Sequence, residues 1–181
     1  IPLTNNSDAN NFSKIKKIVK NYNPKKLIIL GDLFHSKFSI DKTLQKKVED
    51  LPELLKINVE LVLGNHDIGC KIKNLKVFDI KKIKNIILSH EPINLGNNKT
   101  FNICGHYHPK LYLKNKGDKL SFRCFAMDMK KNTLYMPAFG DLTGGYPCKK
   151  SFKKWAIISE KEILEIWIIE KYILRKYQIF K

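Results

Sequence analysis

Val59-Glu60-Leu61-Val62-Leu63-Gly64-Asn65-His66-Asp67 decides how the rest of this chain is read. Its first five residues are a largely apolar, β-branched run of the kind that forms a buried strand. The run stops at a glycine and hands over to three polar side chains. Similar transitions occur three more times. Residues 27–30 lead into Gly31-Asp32, residues 86–88 into Ser89-His90, and Ile103-Cys104 into Gly105-His106-Tyr107-His108. Four of the five histidines therefore stand just past strand ends. Polar groups released at the ends of strands converge on one edge of a sheet.

Aspartate, asparagine and histidine together make an oxygen and nitrogen ligand set suited to divalent manganese, iron, zinc or nickel. In this arrangement they form the pattern of a two-metal hydrolase. Taken singly the motifs carry unequal weight. A carboxylate at Asp32 can bridge two cations, but aspartate caps helices and turns equally well. Gly64-Asn65 alone would pass for a turn, because asparagine tolerates left-handed backbone. Asn65-His66-Asp67 adds a metal ligand, a neutral acid or base, and a carboxylate to hold its imidazole in one tautomer. His90 in isolation reads as a hydrogen-bonded structural histidine; its place in the series makes it a ligand. His106 and His108, two residues apart, point the same way if extended, and Gly105 lets the backbone come close to a metal. His35 is expected to supply a supporting hydrogen bond, and Cys104 to be packing.

At 181 residues the chain is expected to be one domain, 1–181, long enough to bury roughly 70% of its unfolded surface. No stretch approaches the ~18 uncharged apolar residues of a membrane span. The most apolar segment, 163–174, is broken by Glu165, Glu170 and Lys171. The opening residues show no signal-peptide pattern. Cys70, Cys104, Cys124 and Cys148 are widely spaced without a C-x-x-C pair. They are expected to be buried thiols of a reducing compartment, which points to the cytoplasm. The net charge of +17 implies salt-sensitive attraction to polyphosphates. A joint excess of Lys, Asn and Ile is also what compositional drift produces. With Arg123 and Arg175 the only arginines, bidentate readout of phosphate or guanine has few candidates.

Phe12, Ile15, Ile18, Val19 and Tyr22 recur at helical spacing, with Ser13 or Asn10 as cap and Pro24 past the end. A strand over 26–30 follows, then a helix over 41–50 that buries Leu44, Val48 and Leu51, with Pro52 as a break or a fresh first turn. The next strand spans 58–63. Beyond it, segments 77–80, 85–88, 101–104, 110–114, 120–127 and 133–136 read as short strands with few helices between them. Residues 155–159 and 163–170 suit a hairpin, and 171–181 suit either a strand extension or a short helix. Helices early and strands late predict an α/β (α+β) fold, a two-sheet β-sandwich flanked by helices.

The ordered set Gly31-Asp32, Gly64-Asn65-His66-Asp67, His90 and Gly105-His106-Tyr107-His108 resembles the calcineurin-like metallophosphoesterase superfamily. That superfamily opens with an Asp-x-His motif on its first strand. Upstream of Asp32 stands only Asp8, followed by Ala9 and Asn10, with no histidine. The first strand is therefore expected to be missing from this N-terminally truncated chain; the alternative is a protein that has lost one metal site. A finer resemblance rests on Ile1-Pro2-Leu3, residues 31–36, Cys104-Gly105-His106-Tyr107-His108-Pro109, Arg123-Cys124-Phe125, residues 136–140 and 143–145. These are similar to the bacterial ligase-associated DNA-damage-response endonucleases, over most of the chain up to about Ile158. The resemblance implies that Asp32 bridges two metals and that Asn65, His90 and His106 complete one site. It makes His108 a ligand of the other, His66 the proton donor to the leaving oxygen, and Asp67 its orienting partner. It further implies a manganese-dependent hydrolase of phosphodiesters, with DNA as substrate and a DNA ligase and helicase as companions. A small-molecule phosphodiesterase and a catalytically impaired metal-binding scaffold are the alternatives.

Overall fold

The structure is a computed structural model and describes residues 4–34, 42–70, 72–96, 99–115, 118–140, 143–159, 162–169 and 172–179. They fall into two compact units. The first comprises Ile1–Lys81, Leu88–His90 and Phe139–Leu142; the second comprises Lys82–Ile87, Glu91–Ala138 and Thr143–Lys181.

The first unit runs α1 (Thr4–Tyr22), β1 (Lys26–Leu30), α2 (Lys42–Glu49), α3 (Leu51–Leu55), β2 (Asn58–Val62) and β3 (Lys76–Phe78). The three strands are parallel, in the order β1-β2-β3, with Leu27 opposite Val59 and Leu61 opposite Val77. A parallel pair needs a crossover, and α2 with α3 provides the helical part of it. Pro52 sits at the start of α3, where its missing N–H costs nothing, and Lys56 ends the helix in a left-handed conformation. Leu51, Leu55 and Val59 form the core of this unit, covered by Phe12, Ile15 and Val19 of α1 and by Leu27 and Ile29 of β1. Each such buried aliphatic side chain stabilises by roughly 1.5–3 kcal/mol. The helix α1 begins earlier than its apolar stripe, which starts only at Phe12. Ile18 and Tyr22, expected on its buried face, are exposed.

Glu60 is a buried carboxylate in the middle strand of this sheet, with Lys26 Nζ at 2.6 Å and Lys81 Nζ at 2.9 Å. Burial pushes its pKa up, but hydrogen bonds from the two ammoniums outweigh that and hold it below the ordinary carboxylate range. A lowered folded-state pKa contributes stability above the unfolded value that is lost as pH falls through the folded one. Chemical denaturation of wild type and Glu60→Gln across the acid range is expected to show this. The wild type's advantage should be present at neutral pH and vanish as the carboxylate protonates.

The remaining strands are β4 (Ile80–Ile83) and β5 (Ile86–Ser89), each divided between the units, and, within the second unit, β6 (Phe101–Cys104), β7 (Pro109–Asn115), β8 (Asp118–Asp128), β9 (Thr133–Tyr135), β10 (Tyr146–Pro147), β11 (Lys153–Ser159), β12 (Glu162–Ile169) and β13 (Tyr172–Ile179). Among the described residues these form one sheet in the order β13-β12-β11-β8-β9-β6-β5-β4, with β7 on β8 and β10 on β7. The expected hairpin is β11–β12, and the ambiguous tail is a strand paired along its length with β12. Asn102 is fully buried because both ends of its amide are used: Nδ2 donates to the Ile87 carbonyl and Oδ1 accepts from Ile93 N–H. Two sheets and few helices make this the expected mixed α/β class.

Candidate metal centre

Two glycines set the geometry of the first unit's site. Gly31 (φ +77°) and Gly64 end the neighbouring parallel strands β1 and β2, and their backbones touch. A Cβ on Gly31 would strike His90 Nδ1 and come within 2.7 Å of Gly64 Cα and N; a Cβ on Gly64 would strike Asp32. The two strand ends close up because neither residue carries a side chain. Asp32 then turns in a left-handed conformation, φ 51°. Its Oδ1 accepts the His66 N–H at 3.2 Å, and its Oδ2 lies 3.3 Å from His90 Nε2.

His90 is buried just past β5. Its Nδ1 lies 2.8 Å from the Leu30 carbonyl, which can only accept, so Nδ1 carries a proton. In neutral imidazole Nε2 is then a lone-pair donor facing the Asp32 carboxylate and, at 3.0 Å, Asn65 Oδ1. These three electron-pair donors, the buried His90, the half-buried Asp32 and the exposed Asn65, converge where a divalent metal ion could be held. The donor set fits a divalent ion of the manganese-to-zinc series.

His66 is exposed, and Asp67 beside it is fully buried. The Asp67 carboxylate accepts Phe34 N–H at 3.2 Å and Gly64 N–H at 3.0 Å. Burial pushes its pKa up, against the pull of these backbone hydrogen bonds. The expected pairing of this carboxylate with the His66 ring is not among the contacts of the described residues. Asp67 instead braces the loop on which Asn65 and His66 stand.

In the second unit, Gly105 to His108 form a bend between β6 and β7. His106 is exposed and His108 half-buried, at φ 56° and 45°. The expectation that both extend in one direction is therefore corrected: each sits in the left-handed region, where histidine is commoner than most residues but still uncommon. Such backbone clusters at functional sites. Tyr107 between them packs its ring 5.5 Å from Tyr135 and 6.0 Å from Tyr146. His35 lies outside the described residues. The Leu30 carbonyl, which sets the His90 tautomer, was invisible in sequence because it is a backbone group.

The profile of the Metallophos family, calcineurin-like phosphoesterase, matches residues 6–158, and the chain belongs to that family. It is a hydrolase acting on phosphoester bonds, in a family that uses divalent metals. Among solved structures, it is similar to the Pseudomonas putida nuclease MPE, with 26% sequence identity and a TM-score of 0.71. The likeness covers 82% of this chain and 74% of that one. No curated protein matches the chain.

Proposed function

We propose that the protein is a metal-dependent nuclease that hydrolyses phosphodiester bonds in DNA, using two divalent cations with manganese as the first choice and iron, zinc or nickel as others that suit the donors. The observation that carries this is the meeting of His90 Nε2 with the oxygens of Asp32 and Asn65, in a phosphoesterase whose fold resembles a nuclease. Asp32, Asn65 and His90 would hold one ion; by the resemblance, His106 would be a further ligand, and Asp32 and His108 would serve a second. Cations bound there neutralise phosphoryl oxygens and acidify water.

His66 is the proton donor to the leaving oxygen. Its exposure gives the ring access to substrate, while its own N–H on Asp32 Oδ1 fixes the backbone from which the ring projects. Asp67 is a positioning residue, acting through the loop. The chain 1–181 works as one catalytic domain, in the cytoplasm, in DNA repair alongside a DNA ligase and helicase. The retained His66 speaks against a scaffold, which has no need of a proton donor. The scarcity of arginine supports a second reading, a small-molecule phosphodiesterase.

Manganese-dependent cleavage of circular single-stranded DNA and hydrolysis of bis-p-nitrophenyl phosphate by the full protein separate these readings. The nuclease should act on both, lose both with Asp32→Asn, and bind DNA less tightly as salt rises. Turnover of the small diester with intact DNA would favour the second reading. No turnover of either, with metal bound, would leave the scaffold.

A further inference from the structure

Two thiols in the second unit lie close enough to react with each other. Cys124, fully buried in β8, packs against Leu111 and Ala156. Cys148 directly follows β10 and is partly exposed. Their sulfurs are 3.4 Å apart. A disulfide at ~2.0 Å needs about 1.4 Å of further approach, an adjustment of side chains and a short strand.

The surroundings favour reaction at Cys148. The Cys124 thiol hydrogen-bonds to it and, with the nearby Lys154 ammonium, holds Cys148 below the ordinary thiol range; the same hydrogen bond and burial push Cys124 up. Lys154 is itself 2% exposed and fixed by the carbonyls of Phe152 at 2.7 Å and Lys150 at 3.2 Å. A partly exposed cysteine beside a cation and a second thiol is the usual setting of a redox-active pair.

The pair is also tied to the bend carrying His106 and His108. Tyr146 N–H donates to the His108 carbonyl at 3.2 Å and Cys148 N–H to the Lys110 carbonyl at 3.0 Å. Tyr107 Oη donates to the Pro147 carbonyl at 3.1 Å. Movement of Cys148 toward Cys124 pulls on this short strand.

We propose that Cys124 and Cys148 form a peroxide-reactive dithiol whose oxidation to a disulfide is transmitted to the His106–His108 bend through residues 146–148. Cys148 sulfur attacks hydrogen peroxide: an S–O bond forms, the O–O bond breaks, and the departing hydroxide leaves as water with the thiol's proton. Cys148 is oxidised to a sulfenic acid and the peroxide is reduced. Cys124 sulfur then attacks that sulfur, forming the S–S bond as the hydroxyl leaves with the Cys124 proton as a second water. Two thiols and one peroxide become one disulfide and two waters.

The test treats the full protein with a few equivalents of hydrogen peroxide, alkylates the remaining thiols and maps them by mass spectrometry. The same samples are followed by amide hydrogen exchange. The expected result is a 124–148 crosslinked peptide, loss of two alkylation sites that dithiothreitol restores, and altered protection at the Tyr146 and Cys148 amides. In Cys124→Ser, Cys148 should stop at the sulfenic acid, trapped by dimedone. Both thiols still alkylated once Cys70 is oxidised, or separate sulfinic acids with no crosslink, would overturn the site. A crosslink with unchanged amide protection would overturn the transmission.

Discussion

Replacing His66 by alanine is expected to slow phosphodiester hydrolysis by about 10²–10⁴-fold, the usual worth of a positioned general acid, while metal content stays at the wild-type level. The side chain is exposed, and its contribution to the site's framework is its backbone N–H on Asp32 Oδ1, which alanine retains. Fold and cation cluster should therefore survive. The loss should be smaller for a diester with a good leaving group such as nitrophenolate, which needs little protonation, than for DNA. Turnover with both substrates, alongside metal analysis of the same sample, checks this. Metal release by His66→Ala with chemistry otherwise spared would make it a ligand.

His90→Ala should show the opposite signature, with metal and activity lost together. The ring is buried and locked by the Leu30 carbonyl, and its Nε2 is the centre on which the Asp32 and Asn65 oxygens converge. Losing a group that only supports a ligand typically costs about 10–100-fold in metal affinity; losing the ligand itself should exceed that. The substitution also leaves a cavity against Gly31 and deprives the Leu30 carbonyl of its donor, so a lower melting temperature should accompany it. Retained metal with lost activity would place His90 outside the coordination sphere.

The elements that sequence made legible are those fixed by local periodicity. β1 and β2 follow from two apolar runs and β6 to β9 from short strands between turn residues, while Pro52 suited either a break or the fresh first turn that α3 makes of it. The early start of α1 was not legible, because its first turns carry no apolar repeat. The tail's identity as β13 depends on pairing with β12, which is not a property of its own residues. Asp32, Asn65, His66, Asp67 and His90 were singled out as candidates by type and order, and all five lie in the first unit. Their arrangement was a different matter. Asp67 is bound by the amides of Phe34 and Gly64, and a backbone donor 33 residues away leaves no pattern in sequence. Gly31 and Gly64 were legible only as residues that follow separate strands, whereas their need is mutual contact. The left-handed backbone at His106 and His108 likewise depends on the bend rather than on the H-x-H spacing.

Metal content and hydrolysis measured on one set of samples test the central claim most directly. By the resemblance, Asp32, Asn65, His90 and His106 would serve one ion, and only Asp32 and His108 among these residues would serve the other. The 181-residue chain is stripped with a chelator, dialysed against graded manganese, and assayed for bound ion and for bis-p-nitrophenyl phosphate hydrolysis. The expected result is close to one tightly held equivalent, no hydrolysis in the stripped protein, and any rate that returns rising with occupancy and absent in Asp32→Asn. Hydrolysis by the stripped protein, or manganese bound equally well by Asp32→Asn, would contradict it.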